Sequence, residues 1–160
     1  ASNGFTVTGA ASGTDSLINV ERLVFSDRTL AIDLDGIGGQ AYRLYAAAFD
    51  RQPDLPGLGY WIDALDDGAS LSHIASQFII SKEFIDTYGV SLSDEQFVTT
   101  LYDNVLHRAP DAAGFDYWLG ALDLGVTRPD MLRDFSESTE NKLQVIGEIQ
   151  NGIEYVVWLG

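Results

Sequence analysis

The 160-residue chain carries 24 acidic against 9 basic residues, a formal net charge of −15, and no cysteine. So acidic a surface repels phosphate backbones and anionic membranes and attracts cations, which excludes a nucleic-acid partner and keeps calcium in view. Without cysteine there are no disulfides, zinc–thiolate sites or thiol catalysis, and no apolar run approaches the ~18 residues that cross a bilayer.

A hydrophobic content of 46% supplies a core for one ordinary domain at this length. The chain begins at Ala1 without Met or an apolar leader, so we expect a piece or processed product of a longer protein. Freedom from cysteine fits the cytosol, and equally fits export through a one-step secretion channel.

Residues 1–36 read as β structure: FTVTG, ERLVF and TLAIDL alternate or cluster apolar side chains between Gly, Ser, Asp and Asn. Gly13-Thr14-Asp15-Ser16-Leu17 resembles one degenerate turn of the RTX nonapeptide repeat, with Ala10-Ala11 where the leading glycines would stand. That resemblance implies the end of a parallel, calcium-binding β-roll, with Asp15 as a half-ligand and further repeats upstream in a parent chain. An Asx-turn at Asp15 is the simpler reading. Asp33 and Asp35 are spaced to share one side of an extended segment, as calcium ligands or as a soluble strand end.

Gly36-Ile37-Gly38-Gly39 reads as a hinge between the β part and a helical part, because the GKS/GKT of a phosphate cradle is missing. The helical part is duplicated. FDRQPDLPGLGYW at Phe49–Trp61 returns as LHRAPDAAGFDYW at Leu106–Trp118, and every matched pair stands 57 positions apart. Arg51/Arg108, Pro53/Pro110, Asp54/Asp111, Gly57/Gly114, Tyr60/Tyr117 and Trp61/Trp118 carry the match, and Leu44-Tyr45 with Leu101-Tyr102 extends it upstream.

Each copy predicts the same helices. Gln40 to Asp50 is Ala-rich with an amphipathic stripe, and its counterpart opens on the capping box Ser93-x-x-Gln96. Asp54 and Asp111 are N-caps of a second helix that ends at Gly68 or Gly125. Gly57 and Gly114 let the preceding helix come close. A third helix follows Ser70 or Thr127, and Ser81 and Ser138 cap a further one. The expectation is a mainly α fold: two pseudo-repeated multi-helix units (about 40–88 and 93–150) in one helical domain at 37–160, behind a β segment at 1–36.

The repeated pattern is similar to the bacterial domain-of-unknown-function family 4214, roughly LY, R-x-P-D-x-x-G-x-x-YW, a Leu, a Gly and an S-x-E-F end. The second copy departs at that end, with Asn141 where Phe84 stands. The β region resembles the segment joining RTX repeats to this module in secreted proteins of Gram-negative bacteria. The resemblance implies type I secretion and an extracellular or cell-surface location. Glu154-Tyr155-Val156-Val157-Trp158-Leu159 is similar to one class of C-terminal secretion signal, though a final strand or helix on the core explains it as well.

Catalysis has no footing in the sequence. His73 and His107 occupy non-equivalent places outside any HExxH or HxH spacing, and there is no GxSxG. Carboxylate pairs such as Glu137/Glu140 arise on an acidic surface without acid–base work. We therefore expect a non-enzyme. Arg51, Asp54, Gly57, Arg108, Asp111 and Gly114 read as structural, while Tyr60, Trp61, Tyr117 and Trp118 are candidates for a sugar-stacking platform. The functional expectation is a C-terminal module of a secreted RTX-type protein that attaches to surface or extracellular polysaccharide. The alternative is a structural cap and export module with no specific ligand.

Overall fold

The computed structural model describes residues 5–9 and 13–160; Ala10-Ala11 lies outside them. Among the described residues five short strands and eight helices follow one another as β1 (Phe5–Gly9), β2 (Gly13–Leu17), β3 (Arg22–Val24), β4 (Thr29–Ala31), α1 (Ile37–Phe49), α2 (Leu55–Asp66), α3 (Leu71–Ile79), α4 (Lys82–Tyr88), α5 (Asp94–Leu106), α6 (Ala112–Asp123), α7 (Arg128–Ser136), α8 (Thr139–Ile149) and β5 (Ile153–Tyr155). The protein is mainly helical, as its periodicity and caps imply.

The caps explain why the helices start where they do. Asp54 and Asp111 accept from the amides of Gly57 and Gly114, Ser70 from His73, Thr127 from Asp130, Ser81 from Phe84 and Ser138 from Asn141. Each bond satisfies an amide that has no partner inside its own helix. Ser93 and Gln96 complete a reciprocal capping box on α5. Gly68 and Gly125 take φ of +94° and +96° just past α2 and α6, a conformation that costs glycine nothing. The bounds of α1, α2 and α3 recur in α5, α6 and α7 at the 57-residue offset, and α4 and α8 start in the same register.

The helical core is built around α1. Ala41, Ala47 and Ala48 are buried there beside Leu44, and the small alanines let α2, α3, α5 and α7 all pack against one helix. α3 and α7, equivalent helices of the two sets, form the most extensive helix–helix contact. Phe78, Ile74, Met131, Leu132 and Phe135 fill the space between.

Three expectations are corrected here. The glycines at 36–39 are not a hinge: α1 starts at Ile37, and Gly38 and Gly39 are buried in its first turn. A side chain on Gly39 would overlap the Leu34 carbonyl, so glycine is needed for close packing. Second, the strands are not the end of a parallel roll. β1 and β2 form an antiparallel hairpin, and β3, β4 and β5 an antiparallel sheet in that order. Antiparallel pairing follows from the short β3–β4 connection, since parallel strands need a long crossover. Third, Asp33 and Asp35 do not share one side of a strand, because the chain turns directly after β4.

β5 comes from the far end of the described chain. It pairs with β4 through Thr29↔Tyr155 and Ala31↔Ile153, burying Ile153 and Tyr155. The segment beyond it runs onto α2, where the Val156 amide donates to the Leu55 carbonyl at 3.1 Å. Gly59 makes room for the Val156 carbonyl, which any side chain there would overlap.

Candidate functional site

The two Arg-x-Pro-Asp joints close in parallel ways. Asp50 and His107 end α1 and α5 in the left-handed region, at φ of 49° and 50°, and turn the chain into Arg51 and Arg108. Arg51 grips Glu83 with two N–H groups at 2.6 and 3.0 Å, and Arg108 grips Glu140 at 2.7 and 3.0 Å. Each guanidinium also lies over a tyrosine ring, Tyr45 at 4.9 Å and Tyr102 at 5.0 Å. Glu83 and Glu140 are the partners that the motif reading left unassigned. Both stand in the S-x-E end of the repeat, so the signal lay in the matched spacing.

A relay runs through the first joint. Arg51 Nη2 donates to the Tyr45 hydroxyl at 2.7 Å, and that hydroxyl donates to Asp54 Oδ1 at 2.7 Å. Asp54 Oδ2 takes the Gly57 amide at 2.9 Å. The Tyr45 hydroxyl and the Gly57 amide hold the Asp54 carboxyl below the usual carboxylate range. Burial, with the carboxylate beside it, pushes Tyr45 up to about 12. The second joint lacks the relay. Asp111 is lowered first by the Gly114 amide, and the Tyr102 hydroxyl fills the space where a Gly114 side chain would sit. Gly114 thus allows the close approach expected of it, whereas the space beside Gly57 is taken by its own cap, Asp54. All six motif residues do structural work at a helix–turn–helix joint.

The candidate sugar-binding aromatics separate into two classes. Trp61 lies edge-on to Phe78 at 4.9 Å and Trp118 is tilted against Phe135 at 4.9 Å, so both are half-buried packing groups. Tyr60 and Tyr117 point outward, with 42% and 68% of their surface exposed. Of the two, Tyr60 alone gains an exposed aromatic partner among the described residues: Trp158 meets it at 5.1 Å and 88°, itself 45% exposed. Trp158 was legible only as part of an apolar tail, because its partner is nearly a hundred residues away.

The calcium candidates do not converge. Asp15 is exposed in β2 opposite Val7. Asp33 is committed elsewhere: one oxygen accepts from Arg22 and the other from the Gly38 amide at 3.0 Å. Asp35 is exposed in the turn before α1. Among the described residues no three carboxylate or imidazole groups come close enough to hold a metal ion. Glu137 and Glu140 likewise do not form a dyad, since each faces its own arginine.

The residue that sequence reasoning missed altogether is Arg43. It is 2% exposed and donates to Glu137 at 2.7 and 2.9 Å and to the Leu34 carbonyl at 2.7 Å. Its counterpart at the repeat offset is Thr100, so no repetition flagged it.

Beside the first joint lies a cavity of about 230 Å³, between the C-terminal ends of α1 and α5 and the face of α8. Asp50, Gln52, Asn104, His107, Asn141 and Glu148 supply its polar lining. A second cavity of about 170 Å³, reaching Gly152 and Glu154, shares Gln52 and Glu148 with it.

Residues 75–145 match the family model described as Domain of unknown function (DUF4214). The match opens inside α3 and closes inside α8, taking in the second joint with its Arg108–Glu140 pair. Comparison with curated proteins and with solved structures gave no match. No helix is long and apolar enough to cross a membrane among the described residues.

Proposed function

We propose that this chain is a non-catalytic attachment module of a secreted RTX-type protein, holding surface or extracellular polysaccharide. Its first four-helix set is then a second copy of the family module, outside the matched span. The observation that carries the reading is the pair of exposed rings at Tyr60 and Trp158, set at 88°. An aromatic corner of this kind offers one face for a pyranose ring to stack on and a second to flank it, the usual apolar part of a sugar site. Asp63, one turn along α2 from Tyr60 and exposed, provides a hydroxyl acceptor. Calcium enters this reading through RTX repeats of a parent chain; Asp15, on an antiparallel hairpin, and Asp33, held by Arg22 and the Gly38 amide, do not fit a half-ligand role between parallel coils. A calorimetric titration without heat at millimolar calcium would remove Asp15 and Asp35 as ligands.

The test is a glycan array read with and without calcium, using the native chain and its Tyr60→Ala and Trp158→Ala variants. Binding that both variants abolish supports attachment through the corner; absence of binding to every surface polysaccharide sinks it. A second reading, a structural cap and export module, is favoured by one observation: the stretch from Ile153 to Val156 is spent on pairing with β4 and covering α2. Loss of secretion on exchanging Val157, Trp158 and Leu159 for serine, with no glycan bound, would decide for that reading.

A further inference from the structure

The cavity of about 230 Å³ is lined by the joint residues Asp50, Arg51 and His107 and by others that neither joint uses. Ala46, Ala47, Val105 and Val145 form aliphatic walls. Asp50 and Glu148 add carboxylates, and Arg51 does not neutralise Asp50 because its guanidinium is held by Glu83 and Tyr45. Glu148 accepts the Tyr42 hydroxyl on Oε2 at 2.7 Å, and its other oxygen takes no hydrogen bond among the described residues.

The informative residue is Asn141. It is 4% exposed and stands where the first repeat carries the buried Phe84. Its Nδ2 donates to the Ser136 carbonyl at 2.7 Å, which fixes the orientation of the amide. Among the described residues its Oδ1 takes no hydrogen bond, and Asn141 lines the cavity. Exchanging a phenyl ring for an amide opens space and leaves an acceptor that reaches solvent in the cavity without a protein donor.

The Arg51 N–H groups are taken by Glu83, Tyr45 and the Gln52 carbonyl, and Asn104 Nδ2 by Tyr88, so beside the acceptors of Asp50, Glu148 and Asn141 the lining keeps only the Gln52 amide and the His107 ring as side-chain donors among the described residues, between short aliphatic walls. Such a lining suits a charged donor on a methylene stem better than a stacked sugar ring. We propose that the cavity binds a basic side chain, lysine or arginine, from a partner protein. The stem lies against the alanines and valines, and the cation meets Asp50, Glu148 and the Asn141 oxygen. The adjoining cavity, which shares Gln52 and Glu148 and adds Glu154, takes a second basic residue of the same segment. A net charge of −15 steers such a partner in from solution. This site is separate from the Tyr60–Trp158 corner, so either can fail alone.

The experiment is calorimetric titration of the full chain with tetralysine, tetra-arginine, tetraglutamate and a glucosamine tetramer, at about 150 mM salt to suppress diffuse attraction. Saturable binding of a basic peptide is expected, weakened about tenfold by Asp50→Asn and by Glu148→Gln. Asp50→Asn leaves the fold intact, because asparagine accepts the left-handed conformation of that position. Asn141→Phe, checked for folding by circular dichroism, restores the residue of the first repeat and should abolish binding. Asp123→Asn, an equal charge change outside the cavity, should weaken it by less than about twofold. Equal weakening by Asp123→Asn, tighter binding of the glucosamine tetramer, or no saturable binding of either basic peptide would each overturn the proposal.

Discussion

Removing Arg43 strands two acceptors at once, because the Glu137 carboxylate and the Leu34 carbonyl lose their donor inside the core. Arg43→Met should cost about 3 kcal/mol in urea unfolding, since Glu137 keeps only Lys142 at 3.0 Å. Arg51→Ala should cost only about 1 kcal/mol, as its side chain and that of Glu83 are 40% and 43% exposed to screening solvent. The conspicuous arginine of the motif is thus the cheaper one to lose. The Tyr45 relay gives a second prediction: Tyr45→Phe removes the hydroxyl that chiefly depresses Asp54, so the Asp54 pKa should rise in an NMR titration. Asp111, which has no tyrosine donor, should stay where it is. Of these residues, Arg51 and Asp54 were legible because repetition and turn chemistry mark them. Arg43 was not, because what makes it important is burial against a loop carbonyl and a residue far along the chain.

At the scale of elements, α2 and α6 are the same helix in two settings. Leu58, Ile62 and Leu65 are buried on α2 beneath the β5 segment, while α6 buries no residue fully. Glycine substitutions should read out the difference. Gly59→Ala forces a methyl group into the Val156 carbonyl and should destabilise by ~1–3 kcal/mol, measured by chemical denaturation. Gly120→Ala on α6 meets open space and should stabilise by ~0.5–1 kcal/mol, because alanine loses less backbone freedom in a helix. The helices could be read ahead of the structure because capping side chains and apolar stripes are local signals. Strand pairing could not. FTVTG and TLAIDL announce extended backbone but carry no record of direction or partner, so a degenerate repeat suggested a parallel coil where a hairpin forms.

For the molecule as a whole, titration brackets the stable range. Asp54, Asp111, Asp130 and Glu140 all have folded pKa values below their ordinary ones, the last two through the Thr127 hydroxyl and the Arg108 guanidinium first. A depressed carboxylate contributes stability that is present above the unfolded pKa and lost as pH falls through the folded one, so unfolding should set in below about pH 4. The tyrosines act in the opposite sense. Burial raises Tyr45 and Tyr88 to about 12, so stability present below the unfolded tyrosine value should be lost as pH rises from about 10 toward 12. Thermal melts across pH would trace both limbs. Salt should raise the melting temperature near neutrality by screening the net charge of −15. The duplication was the most legible large-scale feature, since an offset of 57 survives in six special residues. The asymmetry around it was hidden: α1 lies at the centre of the helices, and α5 does not replicate that place.

The pairing of Ala31 with Ile153 also sets an order of events in time. As a chain emerges from its N-terminal end, α1 and α2 are available early, but the sheet edge at β4 and the apolar face of α2 stay open until residue 156 has emerged. Closing so long a loop is slow compared with forming the local helical contacts. Completion of the fold is therefore delayed to the last stretch of the described chain, after the helices that it covers have packed on one another.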